Sequence, residues 1–182
     1  MTTTHLTAAQ YLALSDTSVC KVQLHKASGA LIGVTIEFAG DLANLPSKSN
    51  DKMILWKQRR IMNSPKSQAK VMLMTNAYTT ALMDMGELAP TFFDAAVHVT
   101  ALLSSRMKRQ DSHNACKVVG DWLEKVGIVN NDKQAQIWAL RRSDYSTLCK
   151  ESDSTRIEVQ LLSAVQNLVE ATVLECRRRM SA

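Results

Sequence analysis

Between Ser64-Pro65 and Gly86 the sequence spells one long helix and marks both of its ends. Serine is a preferred N-cap, and proline suits the first helical position, where its missing N–H costs nothing. Val71, Met74, Tyr78, Leu82 and Met85 recur at three- and four-residue steps, which predicts a helix over Pro65–Met85 with one apolar face. Gly86 supplies the left-handed residue that stops it. Such a helix must bury its apolar face against another layer. The segments around it alternate as strands do: Val19–Ala27 and Ala30–Ala39 about a turn at Gly29, and Ala95–Leu103 with His98 on its opposite face.

The remaining segments extend this pattern. Thr7 followed by Gln10 makes a capping box before a short helix, about 8–15. Gly40–Asn63 lacks clear periodicity and holds Pro46, so most of it reads as loop. Asp111-Ser112-His113-Asn114 opens a second helix with Ala115, Val118, Val119, Trp122, Leu123 and Val126 on its apolar side, ended by Gly127. A loop over Ile128–Asp132 leads to a strand over Gln134–Arg142. Tyr145–Thr155 is polar loop, and Arg156–Leu161 alternates as a last strand. A terminal helix, Leu162–Met180, ends in Arg177-Arg178-Arg179. The 182 residues suit about one domain.

Composition removes several classes. No apolar run reaches the roughly 18 residues of a membrane span. Met1–His5 lacks the basic-then-apolar pattern of a secretory signal. Cys20, Cys116, Cys149 and Cys176 are scattered, with no CxxC pair, and read as reduced thiols in a cytoplasmic protein. Aromatics make up only 5%, which weakens any base-stacking platform. The net charge of +5 is mild, yet Leu45–Lys70 alone carries +6: Lys48, Lys52, Lys57, Arg59, Arg60, Lys66 and Lys70 against Asp51. Arg106, Lys108 and Arg109 form a second basic run that ends at Asp111. Such clusters suit a polyanionic partner.

The start of the second helix carries the chemistry. Its free N–H groups favour an anion, and His113 and Lys117 share a face at four-residue spacing. Asp132 lies in the loop beyond the helix, and a return strand could bring it back toward Asp111. Two convergent carboxylates hold a hard cation such as Mg²⁺. Taken residue by residue, the same side chains also serve as an N-cap, a helix ion pair with Asp121, and a turn.

The order of the segments adds to this. Arg109-Gln-Asp111-Ser-His113-Asn114-Ala-Cys-Lys117, then Asp121, Lys125, Gly127 and Asn131-Asp132 ahead of a strand, resembles the RusA family of Holliday-junction endonucleases. In that family a basic turn leads into Asp-x-Asp-Asn-x-x-Lys at a helix start, and a loop Asp-Asp pair follows the helix. The spacing of fifteen residues from Lys117 to Asp132 agrees. Upstream, Val34–Ala39 and Pro46-Ser-Lys-Ser-Asn50 are similar to the family's first strand and Pro-Ser-Asn loop, with Gly40–Asn44 inserted. Downstream, Arg156–Leu161 is similar to its final strand.

The resemblance implies an α+β fold, a small mixed sheet packed with helices, with a nuclease core over 34–161, an N-terminal extension over 1–33 and a C-terminal helix over 162–182. It also implies a homodimer that uses Mg²⁺ or Mn²⁺ to cut four-way DNA junctions. Asp111 and Asp132 would be metal ligands, Lys117 would meet the scissile phosphate, and Asn114 would orient the phosphate or a ligand. The cations from Lys48 to Lys70, with Arg106, Lys108 and Arg109, would grip the DNA backbone. Two departures stand out. His113 replaces the second Asp of the family pattern, and Asn131 replaces the first Asp of the loop pair. Imidazole suits Mn²⁺ and later transition metals better than Mg²⁺. Three outcomes are open: a metal site of Asp111, His113 and Asp132, a weakened enzyme, or a junction-binding protein that does not cut. A protein that assembles through its C-terminal helix is an unrelated alternative.

Overall fold

The computed structural model describes residues 19–46, 52–55, 60–105, 107, 112–141 and 153–166. Along them run β1 (Cys20–Ala27), β2 (Ala30–Phe38), a 3₁₀ turn at Gly40–Ala43, β3 (Lys52–Leu55), β4 (Arg60–Asn63) and α1 (Pro65–Met85). After these come β5 (Val97–Leu103), α2 (Ser112–Lys125), a 3₁₀ turn at Asp132–Gln134, β6 (Ala135–Arg141) and β7 (Thr155–Leu161). The backbone is helical again over 162–166.

Both ends of α1 follow the sequence signals. The Ser64 hydroxyl accepts from the Ser67 N–H at 3.2 Å, and Gly86 adopts φ 65° while its N–H returns to the carbonyls of Leu82 and Met83. The β1–β2 hairpin closes through Ser28 and Gly29 at φ 51° and 82°, the two left-handed residues of a type I′ turn.

Five strands form one sheet in the order β1-β2-β7-β5-β6. Every pair is antiparallel except β5–β6, which is parallel. A parallel pair needs a crossover connection, and α2 supplies it. The sheet is thus mixed, and the α+β expectation holds at that level. The segment before Val34 includes β1 and the start of β2, so the division expected at that residue runs through a strand of the common sheet.

Strand alternation decides which face is covered. Val34, Ile36, Phe38, Val97, Val99, Ala101, Leu103, Ile157 and Val159 are fully buried on one face. His98, Thr100, Arg156 and Glu158 occupy the other face and are half-buried. Both helices cover the apolar face and meet there at Trp122. The Trp122 ring stands edge-on to Phe38 of β2 at 5.3 Å and to Tyr78 of α1 at 5.5 Å. Its indole N–H donates to the Thr75 hydroxyl at 3.3 Å. At the end of the sheet where β7 begins, the Thr155 hydroxyl donates to the Ala43 carbonyl and accepts from the Ser104 N–H. The Gly40–Ala43 turn is thereby tied into the core.

Two buried groups carry predictions. Cys20 is buried as expected, and burial pushes its thiol up from 9.0 to about 12. Above about pH 9 the unfolded chain loses this proton while the folded chain keeps it. The contribution is complete below pH 9 and is lost as pH rises toward 12. Cys20→Ala should therefore show a shallower alkaline loss of stability in urea titrations run across that range. The Tyr78 hydroxyl is also pushed up by burial and by nearby Cys20, and it has no hydrogen-bond partner among the described residues. Removing an unsatisfied buried hydroxyl relieves its desolvation cost, so Tyr78→Phe should gain up to about 1 kcal/mol in urea unfolding.

The main correction concerns Gly40–Asn63. Besides the 3₁₀ turn, it contains the β3–β4 hairpin, in register from Lys52↔Asn63 to Leu55↔Arg60. Met53-Ile54-Leu55 and Ile61-Met62 are suitable strand residues, but four-residue strands are too short to show a period against the surrounding polar residues. The expected helix over 8–15, most of the loop over 145–155 and the terminal helix beyond 166 lie outside the described residues, as do Cys149 and Cys176.

Candidate functional site

Helix α2 presents its apolar side, Ala115, Val118, Val119, Trp122 and Leu123, to the core. The opposite side carries exposed His113, Lys117 and Glu124 at helical spacing, with buried Gly120 in line with them. His113 and Lys117 are exposed and Asn114 is half-buried. Gly120 sits at the edge of this stripe, where β6 approaches. A Cβ at Gly120 would lie 3.0 Å from Ile137 Cδ1 and 3.6 Å from Asp132 Cβ. Glycine inside a helix costs about 1 kcal/mol relative to alanine. Here the tight approach is that of Ile137 Cδ1 on β6, while 3.6 Å to Asp132 Cβ is ordinary van der Waals contact.

That turn is built by side chains. Asn131 is its N-cap, and its side-chain carbonyl accepts from the Lys133 N–H at 2.9 Å. Gln134 reaches back, its carbonyl accepting from the N–H groups of Asn130 at 2.9 Å and Asn131 at 3.1 Å. The Gln134 amide also donates to the Phe93 carbonyl, which takes a second bond from Asn130 Nδ2 at 3.3 Å. Asp132 itself is exposed, and its carboxylate has no hydrogen-bond or ion-pair partner among the described residues.

Asn131 thus has a local structural task. Its side chain is committed to the turn, a task that Asp and Asn perform about equally well. Asn131→Asp should leave urea stability within about 0.5 kcal/mol, while Asn131→Ala should cost about 1 kcal/mol.

Fold geometry groups the sequence candidates unevenly. Asp132 packs beside Gly120, one turn from Lys117. At the standard helical rise, His113 lies about 10 Å and Asn114 about 9 Å further toward the start of α2. The two ends of the sequence motif are thus spread along the helix. Asp111 lies outside the described residues, as do Lys48, Lys57, Arg59, Arg106, Lys108 and Arg109. Lys52 and Arg60 belong to the β3–β4 hairpin backbone, with their side chains outside the description. Lys66 is exposed in the first turn of α1, and half-buried Lys70 follows one turn later.

Among the described residues, no three His, Cys, Asp or Glu side chains gather as a metal site. A groove of about 430 Å³ between α1 and α2, lined by Pro46, Val71, Val118, Asp121 and Lys125, lies on the flank of α2 away from Asp132. Sequence reading missed the roles of Gly120 and Gln134. The signals were present: a glycine inside an amphipathic helix, and Gln three residues after Asn, the spacing of a capping box.

Among described residues, no helix is long and apolar enough to cross a membrane. No protein-family model matches the chain, and no curated protein matches it.

Proposed function

We propose that this chain is a metal-dependent endonuclease acting as a homodimer on branched DNA, with a four-way junction resolved by paired symmetric nicks in recombination or repair. The carrying observation is Asp132. It closes the ordered run from Arg109 through Asp111, Asn114 and Lys117, and it is an exposed carboxylate with no described partner beside the Lys117 stripe.

The donor chemistry fits a hard divalent cation. Mg²⁺ and Mn²⁺ take carboxylate oxygens and retain waters. Asp111 and Asp132 would hold the ion, while His113, about 10 Å along α2 from Gly120, stands apart from Asp132. When bound, the ion lowers the pKa of a water and offsets charge on the phosphodiester. Lys117, on the exposed stripe one turn from Gly120, would place its ammonium at the scissile phosphate and offset charge developing there. Asn114 would donate its amide to a phosphate oxygen. Lys48, Lys52, Lys57, Arg59, Arg60, Lys66 and Lys70, with Arg106, Lys108 and Arg109, would hold the DNA backbone in a salt-sensitive way. Two copies related by a two-fold axis present two such sites to paired strands.

The second reading is a junction-binding protein that has lost cleavage, favoured by His113 at the family's second Asp. Asn131 lends it little, because that side chain caps its own turn. A synthetic four-way junction incubated with Mg²⁺ and separately with Mn²⁺ distinguishes the two. Paired nicks support the enzyme, with His113→Asp improving Mg²⁺ use. Salt-sensitive binding without nicks under either metal overturns the enzyme reading and leaves the binding protein.

A further inference from the structure

The five-stranded sheet has two edge strands, β1 and β6, and the sequence treats them differently. An edge strand presents a row of unpaired N–H and C=O groups and invites pairing with another chain. Charges, prolines and bulges are the usual guards against it. Strand β1 is guarded. It carries Lys21, His25 and Lys26, and its register with β2 breaks between His25 and Lys26.

Strand β6 has none of these guards. Its residues, Ala-Gln-Ile-Trp-Ala-Leu-Arg, include no proline and no charge before Arg141. Its register with β5 is unbroken from Val97↔Ala135 to Leu103↔Arg141, and among the described residues nothing pairs with its outer edge. Trp138, the middle residue of the strand, is 60% exposed. Alternation puts it on the same face as exposed Gln136 and half-buried Leu140. Tryptophan is enriched in the cores of interfaces, and here it stands in water at the centre of an unguarded edge.

The strand also fits a copy of itself. In antiparallel pairing about a two-fold axis at Trp138, Trp138 meets its counterpart, Ile137 meets Ala139, Gln136 meets Leu140 and Ala135 meets Arg141. No two charged positions oppose each other. Ile137 faces Gly120 of α2, so the helix-covered side of one sheet continues into that of the other. Such a pairing is closed, and with β1 guarded it stops at two copies.

We propose that β6 pairs antiparallel with β6 of a second copy of this chain, two-fold symmetric about Trp138, and joins the two sheets into one. The inference rests on the homodimer of the proposed function and names its surface. It sets the two Asp132 turns, which directly precede β6, at opposite ends of the paired strands.

The test is the mass of the full chain in solution, by sedimentation velocity over a dilution series, for wild type, Trp138→Lys and Trp138→Glu. Wild type should be a dimer of the 20.2 kDa chain. Either substitution should weaken association by about thirtyfold or more, the usual loss on removing a buried interface tryptophan. Mixing the two variants should restore the dimer, because opposite charges then face each other across the axis. Should either variant not fold, Trp138→Cys takes its place. On mild oxidation it should give a linked dimer that wild type and Gln136→Cys do not, since only at the axis do like positions lie within the roughly 4.4–6.8 Å that a disulfide spans.

A wild type that is monomeric throughout overturns both the inference and the homodimer, and leaves the edge to a strand of another protein. A dimer unchanged in both charged variants overturns the inference and keeps the homodimer, on another surface. Dissociation without rescue on mixing overturns the two-fold register at Trp138, and the proposal with it.

Discussion

Asp132→Asn is expected to reduce junction nicking by more than about a hundredfold, beyond the usual cost of losing an outer-sphere support to a metal. The fold should be unaffected. The substitution keeps the shape of the side chain and removes its charge. The carboxylate has no described hydrogen-bond or ion-pair partner, while Asn131, Gln134 and the Ala135 N–H to the Asp132 carbonyl hold the turn. Exposed changes of this kind fall within about 0.5 kcal/mol. The measurement is single-turnover nicking of a four-way junction in Mn²⁺, paired with a thermal melt. Junction binding in the absence of cleavage should persist, since the basic side chains are untouched. Nicking at the wild-type rate would remove Asp132 from the site. Asp111→Asn should behave alike, because the proposed ion needs both oxygens.

The largest effect on stability is expected at Trp122. Its side chain is 1% exposed and stands edge-on to Phe38 and Tyr78, joining β2, α1 and α2 at one point. Trp122→Ala removes that shared ring and leaves a cavity bounded by two large aromatics that cannot close over it. The cost should be about 3–5 kcal/mol in urea unfolding. Domains of this size are stable by about 5–15 kcal/mol, so about a fifth or more of the total is at stake. The lost indole donor matters less, because the Thr75 hydroxyl still donates to the Val71 carbonyl at 2.9 Å. Trp122→Phe should recover part of the loss. A cost under about 1 kcal/mol would mean that α2 is not held to the sheet by this contact. Because α2 also carries Lys117 and Gly120, nicking by Trp122→Ala should fail at a lower temperature than in wild type.

Part of the candidate site was legible before the fold. The helix that runs from Ser112 through Lys117, the glycine stop and the Asn131-Asp132 loop all follow from local order. The spacing of these groups along α2 was not legible. A loop that returns to a helix can meet it at any turn, and here packing of Ile137 and the absence of a side chain at Gly120 select the middle. Gln134 was read as the opening of a strand. Its bond to Phe93 spans 41 residues, and no spacing rule within the turn reports a partner that distant.

The same division holds for the whole protein. Sequence alone determined the ends of α1, the left-handed glycines at its stop and in the first hairpin, the alternating strands and the second amphipathic helix. Each depends on residues within about four positions of one another, where backbone sterics and helical or strand periods act directly. Tertiary structure decided the insertion of β7 between β2 and β5, the single parallel pair, the meeting of both helices over one face at Trp122, and the place of Asp132 beside Gly120. These depend on which apolar faces bury one another across the chain. That is a collective choice among distant segments, settled by the area removed from water and not by any one of them.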